Sequence, residues 1–328
     1  MLQSCPALER LEIGSIYGIS DDSGQHDVTM HHLRELTLDE CGSHTAVFLA
    51  HLVLPQIVNI AIQSFVTTRI QVADFFPDDK SLLPVLAAIL KVQSVVTGDG
   101  LIIVAATMGD LRVEPQSITH SGEYHPEFEP MDTSWVQRGT MFQLGAIFPP
   151  SVKALHICLE TREPEGQRAI HRVLADGWRA LYAAFPNLEE LYASGPDIDF
   201  FFDFLFDLCP YEPSSRQSAL AWPGLKRIRL EYLPDTSQLQ PAEPEELLHA
   251  VTTVMHNRRS AASVERLQEL GIVFSEKPPV LQNLQTCFNR MHGVADRIMC
   301  IVSEEELALD EDAILSDVVN LDHTNTVD

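Results

Sequence analysis

The residues best suited to chemistry in this sequence are its histidines, and their spacing decides what they can do. His26, His31 and His32 stand close to Asp27 and Asp39, and His120 and His125 follow in THSGEYHPEFEP. Imidazoles and a carboxylate converging on one point would hold a metal ion or pass a proton. The first group lies in SIYGISDDSGQHDVTMHHL, a polar loop followed by a strand, and the second in a Gly/Pro/acid-rich stretch without periodicity. Both read as solvated loops. GDG at 98–100 lacks the other glycines of a dinucleotide fingerprint and the lysine of a phosphate loop, so it reads as a turn. There is no G-x-S-x-G elbow, no H-E-x-x-H helix and no cysteine in a nucleophile signature. The expectation is a non-enzymatic chain with no catalytic residue, metal or cofactor. The alternative is an α/β enzyme with its site in the loops of 98–135, which requires His26, His31, His32 and His125 to converge in a buried group beside a perturbed acid.

Composition narrows the partners. The 328 residues are 45% apolar, enough for a large core, and 47 acidic against 22 basic side chains give a field that repels phosphate backbones and anionic lipid. Neither nucleic acid nor membrane is expected as a partner. The six cysteines, at 5, 41, 158, 209, 287 and 300, include no C-x-x-C pair and read as reduced core thiols. With no secretory signal at MLQSCPALER and no N-x-[ST] acceptor, the reading is a cytoplasmic or nuclear protein. No charge falls between Glu40 and Arg69, a run long enough to cross a bilayer, but His51, Pro55, Gln56, Asn59 and Gln63 interrupt it. A buried helix, a turn and a buried strand fit it better.

The elements that must position any site announce themselves through a recurring phrase: a proline, then apolar residues at +2, +5 and +7. It occurs at Pro6 (Leu8, Leu11, Ile13), Pro55 (Ile57, Ile60, Ile62), Pro150 (Val152, Leu155, Ile157), Pro186 (Leu188, Leu191, Ala193) and Pro223 (Leu225, Ile228, Leu230). A sixth copy, Leu33, Leu36 and Leu38, has His31 at the proline position. Chance gives about two matches among 20 prolines, so five is an excess. A helical segment usually comes first, as in EGQRAIHRVLADGWRALYAAF before Pro186. The unit is helix, proline-marked turn and short strand: proline stops the helix, and the strand then alternates inward at +5 and +7. Such a unit cannot bury its apolar face alone, so copies must stack. KVQSVVTG, with Val92, Val95 and Thr97, supplies a further copy, and LIIVAATMGDLRVE reads as strands in an insertion over about 98–140.

PALERLEI, HLRELTL, FPNLEELYA and PGLKRIRLEYL resemble leucine-rich-repeat-like proteins, and in particular the irregular C-terminal arrays of fungal F-box-like proteins. The resemblance implies an α/β solenoid, an irregular horseshoe over 1–302 with parallel strands on the concave side and helices on the convex side, followed by an acidic tail, 303–328. It also implies the substrate-recognition part of an F-box-like ubiquitin ligase adaptor. The chain opens inside a repeat, as an N-terminally truncated array would, so docking of a cullin-ligase adaptor is expected only if an F-box is encoded upstream. LLPVLAAIL (82–90) and EPEELLHAVTTVM (243–255) imitate an F-box start but read as ordinary helices with proline in the first turn. A degenerate fragment without function is a third possibility.

On the concave strand face, outward positions are where repeat proteins usually bind. The expected protein-partner set is Arg10, Glu12, Glu35, Thr37, Asn59, His156, Glu190, Tyr192, Arg227 and Arg229, accompanied by Asp39, Ala61, Gln63, Ala154 and Glu231. It runs from acidic and small to aromatic and basic along the chain, and Tyr192, Arg227 and Arg229 are the expected anchors. Past the phrase copies, VTTVMHNRRSAASVERLQELGI and PVLQNLQTCFNRMHG read as amphipathic helices, RIMCIV as a last buried strand, and Arg258 with Arg259 as a pair solvating a helix end.

Overall fold

A computed structural model describes residues 5, 7–14, 27–39, 44–55, 58–65, 71–79, 83–96, 101–107, 133–159, 170–195, 198–208, 221–233, 243–260, 266–274 and 294–302. In chain order its elements are β1 (Arg10–Gly14), β2 (Val28–Thr29), β3 (Glu35–Asp39), α1 (His44–Ala50), β4 (Leu52–Val53), β5 (Asn59–Phe65), β6 (Lys91–Val96), β7 (Leu101–Thr107), α2 (Thr133–Ile147), β8 (Ala154–Leu159), α3 (Ile170–Ala184), β9 (Glu190–Gly195), α4 (Ile198–Leu208), β10 (Arg227–Tyr232), α5 (Glu243–Ser260), β11 (Leu267–Phe274) and β12 (Ala295–Val302). The fold is α/β. Ten strands form one mostly parallel sheet in the order β1-β3-β5-β7-β6-β8-β9-β10-β11-β12. Only β7 runs antiparallel, to both β5 and β6, while β2 and β4 make a separate two-stranded ladder.

The apolar phrase positions fall in register. Leu11, Leu36 and Ile60 are lateral partners, Ala106 of β7 joins them to Val92, and the row continues through Leu155, Leu191, Ile228, Leu270 and Ile298. From β3 to β11 every member of this row is buried. Such a row is set by burial: a one-residue slip would turn each strand's aliphatic set to the wrong side.

Proline has a role beyond stopping a helix. In six units the +2 amide donates to the carbonyl one residue before the proline position: Leu8 to Cys5, Leu33 to Met30, Ile89 to Leu86, Val152 to Pro149, Leu188 to Phe185 and Leu225 to Trp222. That bond closes a four-residue turn whose second position is Pro150, Pro186 or Pro223, where a preset φ is favoured. A second backbone device joins neighbouring units. The carbonyl at +3 accepts the +3 and +4 amides of the next rung: Glu9 from Arg34 and Glu35, Leu90 from Lys153 and Ala154, Lys153 from Glu189 and Glu190, Glu189 from Lys226 and Arg227, and Lys226 from Gln268 and Glu269. The sheet hydrogen bonding thus begins one residue before each strand.

The core joins the inward strand rows to the helices. Helix α2 lies on α3, α3 on α4 and α4 on α5. α2 and α3 approach closely because Gly145 and Gly177 lack side chains: a Cβ on Gly145 would stand 2.5 Å from Ala184 Cβ, and one on Gly177 2.9 Å from Met141 Sδ. Between α3, α4 and β10 the filling is aromatic, with Trp178 against Phe200 and Phe204, and Trp222 against Tyr182.

Several sequence expectations need correction. KVQSVVTG is a rung, but its register is three residues from the expected one, with Ile89, Val92 and Ser94 at the inward positions and Val92 beside Leu155. ERLQELGI, expected as helix, is largely strand β11, and Leu267, Leu270 and Ile272 form an inward triplet without a proline. RIMCIV lies in β12 at the sheet edge, where Ile298 and Met299 are only half-buried. Arg258 does not solvate a helix end: it is 2% exposed, and its guanidinium donates to the carbonyls of Leu208 (3.3 Å), Ala221 (2.8 Å) and Trp222. Those last two carbonyls sit at the turn where Trp222 takes a positive φ of 46°, unusual for a bulky residue, and Arg258 clamps it. Cys158 is buried as expected but Cys5 is exposed. The side chain of Arg259, PVLQNLQTCFNRMHG at 279–293, the expected acidic tail at 303–328 and residues 97–100 and 108–132 lie outside the described residues. Among the described residues no helix is long and apolar enough to cross a membrane, and the charge-free run contains α1 and β5.

Candidate functional site

Alternation places the +4 and +6 residues of every strand on the side of the sheet away from the core rows. The +4 row reads Arg10, Glu35, Asn59, Thr107, Lys91, Ala154, Glu190, Arg227, Glu269 and Arg297 across the sheet. The +6 row beside it reads Glu12, Thr37, Ala61, Ala105, Gln93, His156, Tyr192, Arg229, Gly271 and Met299. All ten expected partner residues belong to these two rows. Accessibility varies along the face: Thr107, Ala154, Ala105, Gln93 and Gly271 of these two rows are buried, as are Val95, Cys158, Ser194 and Val273 at +8, while Asp39, Gln63 and Glu231 at +8 are half-buried.

The expected residues form two groups. At the β1 edge Arg10 pairs with Glu35 (3.4 Å) and Glu12 (3.8 Å), with Thr37 beside Glu12 in register. Toward the middle, on β8, β9 and β10, His156, Glu190, Tyr192, Arg227 and Arg229 come together. The His156 and Tyr192 rings are 5.1 Å apart, the Arg229 guanidinium lies 5.4 Å from the Tyr192 centroid, and Arg227 donates to the Glu190 carboxylate. Asn59 stands beside Glu35 in register and accepts the Thr107 hydroxyl. Arg227 is therefore a rung of a charge ladder, between Glu190 and Glu269 in register, with Arg297 next to Glu269 at 3.8 Å. Opposite charges directly across strands stabilise that order. The aromatic and basic residues do not end the face, as the sequence alone suggested, because β11 and β12 extend it.

Two members of the central group were not expected. Gln93 of β6 stands next to His156 in register and is 6% exposed, and its Oε1 is buried without a hydrogen-bond partner among the described residues. Lys91, two residues earlier, stands beside Ala154. The signal was present: counting from position 87 instead of 90 puts Lys91 at +4 and Gln93 at +6.

Electrostatics sharpen the centre. Burial, and then the positive charges of Lys91 and Arg229, push the His156 imidazole down to about 3, so it is neutral at physiological pH. One residue before the rung, Glu189 accepts from Lys153 (2.8 Å) and Lys226 (2.7 Å), and these two hydrogen bonds bring its carboxyl down to about 2. This clamp ties the starts of β8, β9 and β10 together and fixes the backbone beneath the Tyr192 and Arg229 pair.

Of the histidines in the enzyme alternative, His31 and His32 are exposed, and His26 and His125 lie outside the described residues. No group of His, Cys, Asp or Glu suited to a metal ion occurs among the described residues. Comparison with known protein families, with curated proteins and with solved structures yields no match to the chain.

Proposed function

We propose that the chain is an irregular leucine-rich-repeat-like solenoid that binds a protein partner on its strand face without catalysing a reaction. The observation that carries this reading is the shared register of the units: every rung places its +4 and +6 residues in two continuous rows. The recurring turn and the shared +3 carbonyl support a stacked array, and helices wider than strands favour a sheet curved toward the strand side. On that face the His156, Tyr192 and Arg229 group combines aromatic area with a delocalised cation, the residue types that supply most interface energy. Where an F-box segment stands upstream in the gene, the same face would be the substrate-recognition half of a ubiquitin ligase adaptor.

The test is neutralisation of Arg227 and Arg229 together. Charge reversal would set a third acidic group between Glu190 and Glu269, so Arg227→Gln with Arg229→Gln is the cleaner change. In quantitative affinity capture from a lysate of the source cells, partners recovered by the wild-type chain should fall at least tenfold with the double variant. Melting temperature should move by no more than about 3 °C, because Arg227 is exposed and glutamine keeps the first part of the Arg229 stem over Gly271. Equal recovery by the two proteins overturns the reading of this face.

A further inference from the structure

The first strand of the sheet has a neighbour on one side: β1 pairs with β3, and among the described residues no strand lies beyond it. The Glu9 carbonyl accepts from Arg34 and Glu35 on the β3 side. Backbone direction alternates along a strand, so Leu11 and Ile13 also face β3, while the N–H and C=O groups of Arg10, Glu12 and Gly14 point away from it. Those three residues are exposed, and Leu11 between the first two is half-buried where its lateral partner Leu36 is 1% exposed. Such an edge is a template for another strand, and proteins commonly blunt it with lysine or proline. β1 instead carries a cation and an anion two residues apart on one face, with an aliphatic residue between them.

We propose that β1 is a self-association edge, which pairs antiparallel with β1 of a second copy of this chain about a two-fold axis at Leu11. The outward groups of two such strands meet when the axis passes through a residue and not between two, so it can pass through Arg10, Leu11 or Glu12. An axis at Arg10 sets two guanidiniums face to face, and one at Glu12 two carboxylates; like charges directly opposite are destabilising. The axis at Leu11 sets Arg10 of each copy opposite Glu12 of the other, where they exchange both backbone hydrogen bonds, and it closes one Leu11 on the other in the nearer, non-hydrogen-bonded pair. Arg10 keeps its own partners in this arrangement. Glu12 and Glu35 stand 3.8 and 3.4 Å from it in contact with water, and a guanidinium has donors enough for a further carboxylate. The alternative, β12 of one copy continuing in parallel onto β1 of the next, sets Arg297 beside Arg10 in the repeating register and is disfavoured by the same rule. A closed pair therefore forms in preference to a filament. Residues directly opposite share one side of an antiparallel pair, so the +4 and +6 rows of both copies lie on the same side of the joined sheet.

The experiment is sedimentation equilibrium of the full chain from about 5 to about 200 µM in about 150 mM salt, where a screening length of about 8 Å shields the −25 charge of each copy. Expected is a weight-average mass that rises with concentration toward twice that of the monomer. Arg10→Glu and Glu12→Arg, each alone, set like charges at both crossings and should raise the dissociation constant at least tenfold, while melting curves show that both variants are folded. Mixed in equal amounts, the two variants bring an edge with two acidic side chains against one with two basic side chains, so the mixture should associate at least as tightly as wild type. A wild-type chain that stays monomeric throughout the range overturns the proposal, as does association that neither variant weakens. A mixture that remains monomeric also overturns it, because opposite charge is what selects the Leu11 axis. Neither substitution touches Tyr192, Arg227 or Arg229, so loss of the dimer and loss of partner capture are read separately.

Discussion

The section of the molecule from β8 to β10 and the section from β1 to β5 are built on the same phrase, yet they are finished differently. Strands β8, β9 and β10 are backed by α2, α3 and α4, of 15, 15 and 11 residues. Between β3 and β5 the described residues hold α1, of seven residues, and the short β4. Long helices admit large side chains, so the first section buries Trp178, Trp222 and a set of phenylalanines, whereas Leu11 and Ile13 of the edge strand are only half-buried. The faces differ in step. Around β9 a cation–ring stack and a Glu189 clamp fix the side chains, while at β1 exposed Arg10, Glu12 and Glu35 pair through water-accessible charges. One recurring phrase thus gives either a set of side chains fixed by their neighbours or a solvated edge, according to how much apolar volume stands behind it.

Substitutions can break that contrast in order of size. Trp178→Ala should cost about 4 kcal/mol in urea unfolding and Leu11→Ala about 1 kcal/mol, since only the first leaves a large cavity in a closed core. Similar losses would show that the two sections do not differ in packing. Arg258→Leu should cost about 2 to 3 kcal/mol, because the Leu208, Ala221 and Trp222 carbonyls lose their donor and the left-handed Trp222 turn loses its clamp. A change within 0.5 kcal/mol would mean that the turn holds itself. The smallest difference separates two glutamates. Glu189→Gln should cost about 1 kcal/mol at pH 7 and Glu35→Gln less than about 0.5 kcal/mol. The Glu189 carboxyl is held below its ordinary 4.5, at about 2, so its contribution is complete above pH 4.5 and is lost as pH falls through about 2. Glu189→Gln should therefore flatten that part of the acid limb, which chemical unfolding at stepped pH measures directly.

Much of the strand framework was legible because aliphatic alternation is dictated by burial, which each strand meets locally. Leu36, Ile60, Leu155, Leu191 and Ile228 could be placed on neighbouring rungs from spacing alone, and they are in register. Rungs without a proline were harder. Leu267, Leu270 and Ile272 have the same spacing, but i, i+3 is also a helical interval, so ERLQELGI fits either period. The three-residue offset in KVQSVVTG arose because Val92 and Val95 are both buried while the inward Ser94 is polar. Gln93 was hidden by that offset. Arg258 was illegible for a different reason: its partners are backbone carbonyls at 208, 221 and 222, which every sequence possesses, so no residue type reports them.

The carbonyl shared between consecutive rungs has a bearing on how such a chain changes length over generations. At five junctions a unit offers its successor one +3 carbonyl and the successor answers with the same pair of amides, so these junctions are blind to which unit comes next. Cutting at one +3 position and rejoining at another would bring the Lys153 oxygen to the amides of Lys226 and Arg227 in place of Glu189 and Glu190. Unequal crossing-over at these points would add or subtract a whole slat while leaving the hydrogen-bonded seam intact, and only the side chains on the two outer rows would change hands.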